Sequence, residues 1–199
     1  SRKQATRTAK RAAAPAVEQH PSYAIAVGVS LAIFALYIAT LAPTTAMWDT
    51  SEYIAAARVL GVPHPPGNPF FVMLAHVFSL LPIGSGAGMR INVLAALCSA
   101  ASAGMWFLVV ERVLSGWLPE RWQQRGAAAA AALLGATAFT VWNQSVVNEK
   151  VYTVSLAFFA IVSWLTVQWC DNPEGRSADR LLVLIGFLIA LGYTNHPAG

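Results

Sequence analysis

Apolar residues in this chain come in long unbroken runs. Tyr23 to Leu41 is nineteen residues without a charge, long enough as a helix to cross about 30 Å of hydrocarbon. Ile91–Val110, Gly126–Trp142, Val151–Cys170 and Leu181–Tyr193 repeat the pattern, so hydropathy predicts an all-α transmembrane bundle of about five spans. The Ala127–Ala132 tract would let neighbouring helices approach closely. Phe70–Ile83 differs, being fourteen residues interrupted by His76 and closed around Pro82. Its length predicts an interfacial or re-entrant helix. Thr50–Leu60 reads as another short helix, begun by Asp49 or Thr50 and stopped by Gly61 and Pro63.

Composition strengthens this picture. Hydrophobic residues make up 56% of the chain and charged ones 11%, whereas a soluble domain carries about 25% charged residues. Charge placement then sets the topology. If Phe70–Ile83 does not cross, residues 1–22, 111–125 and 171–180 share one side and hold ten Lys and Arg, against three (Arg58, Arg90, Lys150) on the other. If it does cross, the split is seven to six. The positive-inside rule selects the first arrangement. Residues 1–22 are then a basic, disordered cytoplasmic tail attracted to anionic membrane lipids, and residues 23–199 form the membrane domain. The first span reads as an uncleaved signal anchor. The expected location is the inner or plasma membrane, with residues 42–90 as one long extracytoplasmic loop bearing short interfacial helices. No nucleic-acid partner is expected, because no basic, aromatic-interleaved face follows the tail. The last run stops at Asn195-His196-Pro197-Ala198-Gly199 with no loop beyond it, so the sequence reads as the first part of a longer protein. Cys98 and Cys170 lack Cys-x-x-Cys spacing and read as small packing residues.

The candidate chemistry lies on the outer side. Asp49 and Glu52 are three apart, which puts both carboxylates on one side of a helical turn. Adjacent like charges would push one pKa upward and suit base and positioning duties. Asp-x-x-Glu at a helix start is also capping-box spacing. Pro63 and Pro65 flank His64 and restrict it, which fits a phosphate donor or proton shuttle as well as a stiff surface turn. Arg90 suits bidentate phosphate contact or snorkelling to the interface. Glu149 and Tyr152 share a helix face where the fourth span begins, and Glu149 would also favour that helix N-terminus. Asn195 and His196 close the fifth span, where polar groups face a cavity or a partner. The span centres carry no charge, unlike proton-coupled pumps. A membrane transporter or lipid flippase is the alternative reading. No cofactor and no metal-ligand set is assigned.

Four motifs occur in order: Trp48-Asp49-x-x-Glu52-Tyr53, His64-Pro65-Pro66-Gly67-x-Pro69, Arg90-Ile91-Asn92 and Glu149-Lys150-Val151-Tyr152. On these the chain, over about residues 22–199, resembles a bacterial membrane family related to the O-mannosyltransferases that modify plexin-type receptors, within the GT-C glycosyltransferases. The resemblance implies a bundle of GT-C type that moves a mannose-like sugar from a polyprenyl-phosphate donor to an extracytoplasmic acceptor hydroxyl on protein or glycan. It implies inverting transfer with Asp49 as catalytic base or acceptor orienter and Glu52 beside it. Arg90, His64 and His196 would face the lipid phosphate.

Overall fold

The computed structural model describes residues 20–45, 49–147 and 151–197. The basic tail as far as residue 19, Trp48, and Glu149 with its two neighbours lie outside the described residues. Among the described residues eight helices follow in order: α1 Tyr23–Ala39, α2 Thr50–Val59, α3 Pro69–Ser79, α4 Ala87–Leu114, α5 Arg121–Thr137, α6 Phe139–Val146, α7 Val151–Asp171 and α8 Ala178–Asn195. Among the described residues there is no strand, and the architecture is a helical membrane bundle. Helices α4, α7 and α8 are each long and apolar enough to cross a bilayer, and α5 with α6 forms an apolar pair bent by 62°, the geometry of a broken span or a re-entrant loop. Helix α1, at 17 residues, is about 25 Å long. Modest bilayer thinning lets such a helix span.

Helix α4 is the axis of the bundle and packs against α1, α2, α3, α5, α6 and α7. Its middle is a series of small buried residues, Ala95, Ala96, Ser99, Ala100, Ala103 and Gly104, which suits close helix approach where lipid supplies no hydrophobic drive. At Gly104 a Cβ would lie 2.8 Å from the Ala26 carbonyl oxygen of α1 and would overlap Ser30 Oγ. Ala26, Val29, Ile33 and Tyr37 form the buried face of α1, while Val27, Leu31 and Ile38 point outward, as a lipid-immersed helix requires.

Gly126–Trp142 is a single apolar run in the sequence, and the structure divides it between two helices. Helix α5 ends at Thr137, Ala138 takes an extended ψ of 137°, and α6 leaves at 62°. No proline marks the break. Thr137 Oγ1 donates back to Leu133 O at 2.8 Å, a bond that bends helices. The Tyr37 hydroxyl donates to Ala136 O at 2.7 Å.

Polar contacts gather at the two ends of the bundle. At one end the buried Glu111 carboxylate accepts from Ser22 N–H at 3.0 Å and Ser22 Oγ at 2.5 Å, and Arg125 Nε stands 3.5 Å away. Arg112 holds Asp171 there through two nitrogens. At the opposite end Ala42 N–H donates to Val146 O at 3.0 Å. Asn92 Nδ2 donates to Ala42 O at 2.7 Å and Thr44 O at 3.2 Å, fastening the chain that leads to Asp49. The expected non-crossing helix is α3, whose 11 residues reach only about 16 Å. It forms a hairpin with α2 over the start of α4. The α2–α3 link begins where Leu60 turns left-handed (φ 54°) and Gly61 N–H closes on Ala56 O at 2.8 Å.

Candidate active site

Helix α2 begins at Asp49 and carries Glu52 one turn on. Glu52 does not turn back to the helix start, and Asp49 makes no side-chain cap bond, so the capping-box reading fails. Glu52 reaches across the loop instead. Its Oε1 accepts from the His64 backbone N–H at 2.6 Å, and its Oε2 lies 2.9 Å from His64 Nδ1. His64 Nε2 stands 3.9 Å from Asp49 Oδ2, beyond a direct hydrogen bond but within Coulombic reach. The prolines either side of His64 and a turn bond from Gly67 N–H to His64 O at 3.0 Å shape the segment that presents it.

This geometry sets the electrostatics. Like-charge neighbours are expected to push one carboxyl upward, yet Glu52 moves the other way. Its bond to the His64 ring, and after it the bond from the His64 N–H, hold it below the ordinary carboxylate range. A carboxylate on Nδ1 fixes an imidazole's orientation and directs Nε2 outward, here toward Asp49. Asp49, Glu52 and His64 each offer a ligand atom, all within 4.8 Å of one another, so the same trio could hold a divalent cation. All three side chains are roughly half exposed and open to an incoming substrate.

The other expected residues fall in two places. Tyr152 and His196 meet at a ring separation of 5.1 Å, joining the start of α7 to the end of α8. Tyr152 also lines a cavity of about 170 Å³ with Ser99, Thr140 and Gln144. Ser99 and Leu156 continue its wall into an apolar cavity of about 270 Å³ between α4 and α5. Arg90 is placed otherwise. Its Nε donates to Ile83 O and its Nη1 to Ser79 O, each at 2.8 Å, so it caps the end of α3. No contact among the described residues joins it to Asp49. His76 Nδ1 meets Ala57 O at 2.9 Å, tying α3 to α2. Cys98 is half-buried, whereas Cys170 is exposed and not a packing residue.

Sequence reasoning assigned no role to Asn68, and noted Asn195 only as a polar group at membrane depth. Both are almost wholly buried. Asn68 Nδ2 donates to Asn195 O at 2.6 Å, and Asn195 Nδ2 to Val151 O and Ser155 Oγ at 2.9 Å. The available signal was an asparagine between Gly67 and Pro69, ahead of an apolar helix.

A family model described as "Protein O-mannosyl-transferase TMEM260 N-terminal domain" matches residues 49–199, beginning at Asp49 itself. The chain is 31% identical over 170 residues to mouse (Mus musculus) protein O-mannosyl-transferase TMEM260, covering 85% of this chain and 23% of the relative. It is 26% identical over 175 residues to the Dictyostelium discoideum protein O-mannosyl-transferase tmem260, covering 80% of this chain and 20% of the relative. The chain thus spans about a quarter or less of the length of these curated relatives. No solved structure matches it.

Proposed function

Because the chain belongs to the family of the protein O-mannosyl-transferase TMEM260 N-terminal domain, we propose that it is the front part of a GT-C-type glycosyltransferase. The reaction moves a mannose-like sugar from a polyprenyl-phosphate donor to an acceptor hydroxyl on protein, outside the cytoplasm. The observation that carries this reading is the Asp49–His64–Glu52 trio at the first loop, open at the end of the bundle opposite the basic one. The ten-to-three charge split supports a cytoplasmic N-terminus and hence an extracytoplasmic site.

The acceptor oxygen attacks the anomeric carbon while the bond from that carbon to the lipid phosphate oxygen breaks. A single displacement inverts the anomeric centre. The acceptor proton passes to the Asp49 carboxylate, a general-base role that needs an ionised acid close to the attacking oxygen. Negative charge grows on the departing phosphate, where fixed donors lower the barrier. His64, oriented by Glu52 through Nδ1, supplies one donor from Nε2 as the imidazolium, in which both ring nitrogens carry protons. His196 and Tyr152, paired at the ends of α8 and α7, are further candidates to meet the lipid phosphate, with Glu149 three residues before Tyr152. Arg90, after capping α3, keeps Nη2 for the phosphate.

Asp49→Asn in the full chain is expected to abolish transfer from mannosyl-phosphoryl-polyprenol while membrane insertion is unchanged. Normal turnover by that variant would remove Asp49 from the base role.

A further inference from the structure

Buried hydrogen bonds join the two clusters of candidate residues. Tyr53, 2% exposed, donates from its hydroxyl to Asn68 Oδ1 at 3.1 Å. Asn68, 1% exposed, passes the link through Nδ2 to Asn195 O at 2.6 Å. Asn195, fully buried, fastens through Nδ2 to Val151 O and Ser155 Oγ of α7, both at 2.9 Å. The run therefore leads from α2 through the N-cap of α3 to the last residue of α8 and the first turn of α7.

Each end of the run touches a cluster. The Tyr53 ring meets the His64 ring edge-on at 5.6 Å and Phe71 at 5.4 Å. At the far end, Asn195 and Val151 immediately precede His196 and Tyr152 in the chain. Apolar faces alone let a short hairpin slide over a bundle, because dispersion is non-directional. Hydrogen bonds are directional, and buried donors left unpaired are costly, so this run fixes a register. The left-handed backbone at Asn68 (φ 42°) fits, since asparagine tolerates that region better than most residues.

We infer that Tyr53, Asn68 and Asn195 are positioning residues. They hold the α2–α3 hairpin, and with it Asp49 and His64, at a set distance from the Tyr152–His196 pair. The inference rests on the transferase reading of the site. None of the three touches the reacting atoms; they act through His64 and the ends of α7 and α8.

Tyr53→Phe removes one hydroxyl and keeps both ring contacts. Asn68→Asp keeps the acceptor for Tyr53 and sets an oxygen against Asn195 O. In the full chain each is expected to lower kcat for transfer from mannosyl-phosphoryl-polyprenol roughly tenfold to a hundredfold, with donor KM within about twofold. The His64 ring signal in ¹H–¹³C NMR of detergent-solubilised protein, assigned by its loss in His64→Gln, is expected to shift in both variants. A purely structural role would lower the folded yield but leave kcat per folded molecule and that signal in place. Should Asn68→Asp fail to fold, the double variant Tyr53→Phe/Asn68→Gly removes both side-chain groups together at a backbone angle glycine accepts and is expected to fold with the same kcat loss. Folded Tyr53→Phe with unaltered kcat and unaltered His64 signal overturns the inference. A shifted His64 signal in a protein whose wild type transfers no mannose supports the positioning role and defeats the transferase reading.

Discussion

Replacing Gly104 by alanine tests the crossing of α1 over α4. The added Cβ would stand 2.8 Å from Ala26 O and 3.4 Å from Ala26 C, and would overlap Ser30 Oγ. Ser30 can swing its hydroxyl away. The Ala26 carbonyl cannot, because it belongs to the helix backbone. An ordinary carbon–oxygen contact is about 3.3–3.6 Å, so α1 must retreat by roughly half an ångström or more at the crossing. A gap of that size along the Ala26, Val29, Ile33 and Tyr37 face forfeits about a quarter of each contact's dispersion energy. The whole falls in the range of about 1–3 kcal/mol for overpacking. Gly135→Ala is the reference, since nothing lies within 4 Å of a Cβ there, and the helix-propensity gain of Gly→Ala is common to both. Equilibrium unfolding in mixed detergent–SDS micelles should place Gly104→Ala below Gly135→Ala by about 1–3 kcal/mol. Adding Ser30→Ala should recover only part of the loss. Equal stability of the two glycine variants would refute the close crossing.

Leu60 holds a left-handed backbone while more than half exposed, so Leu60→Gly should relieve about 1 kcal/mol of strain net of glycine's extra chain entropy; a lowered thermal midpoint would contradict it. Glu52 is held below its ordinary value by His64, so its folded form binds protons less readily than its unfolded form. The resulting stabilisation is present above the ordinary glutamate value of about 4.3 and is lost as pH falls through the lower folded value. The thermal midpoint of wild type should accordingly drop below about pH 4.3 more steeply than that of Glu52→Gln, and parallel profiles would count against the Glu52–His64 contact.

The crossing helices were legible because a bilayer demands long apolar runs, and α3 was legible as too short for one. The break after Thr137 was not, because Thr-Ala carries no proline or glycine and the bend arises from side-chain and tertiary contacts. Asp49, Glu52 and His64 were each visible as reactive residues. Their convergence was hidden because it depends on how the chain after α2 folds back toward Glu52, and capping-box spacing offered Glu52 a competing partner. The bonds from Arg90 to Ile83 O and Ser79 O were hidden for a related reason. An arginine at an outer helix start reads as an anion site, but the unpaired carbonyls at the end of α3 lie closer to it. Asn68 looked like an ordinary turn residue, and only its burial reveals the bond to Asn195.

The bend between α5 and α6 makes a demand on a helix far from it in the chain. Where a helix breaks inside a bilayer, its last carbonyls lose their helical partners and no water replaces them. Tyr37 meets this need at Ala136 from a different span, made roughly a hundred residues earlier. With α1 seated, that carbonyl has its partner as the bend forms. A chain that reached α5 without its first span would have either to straighten the break or to leave that carbonyl bare in lipid. Helix α1 thus serves as a socket for the kink between α5 and α6.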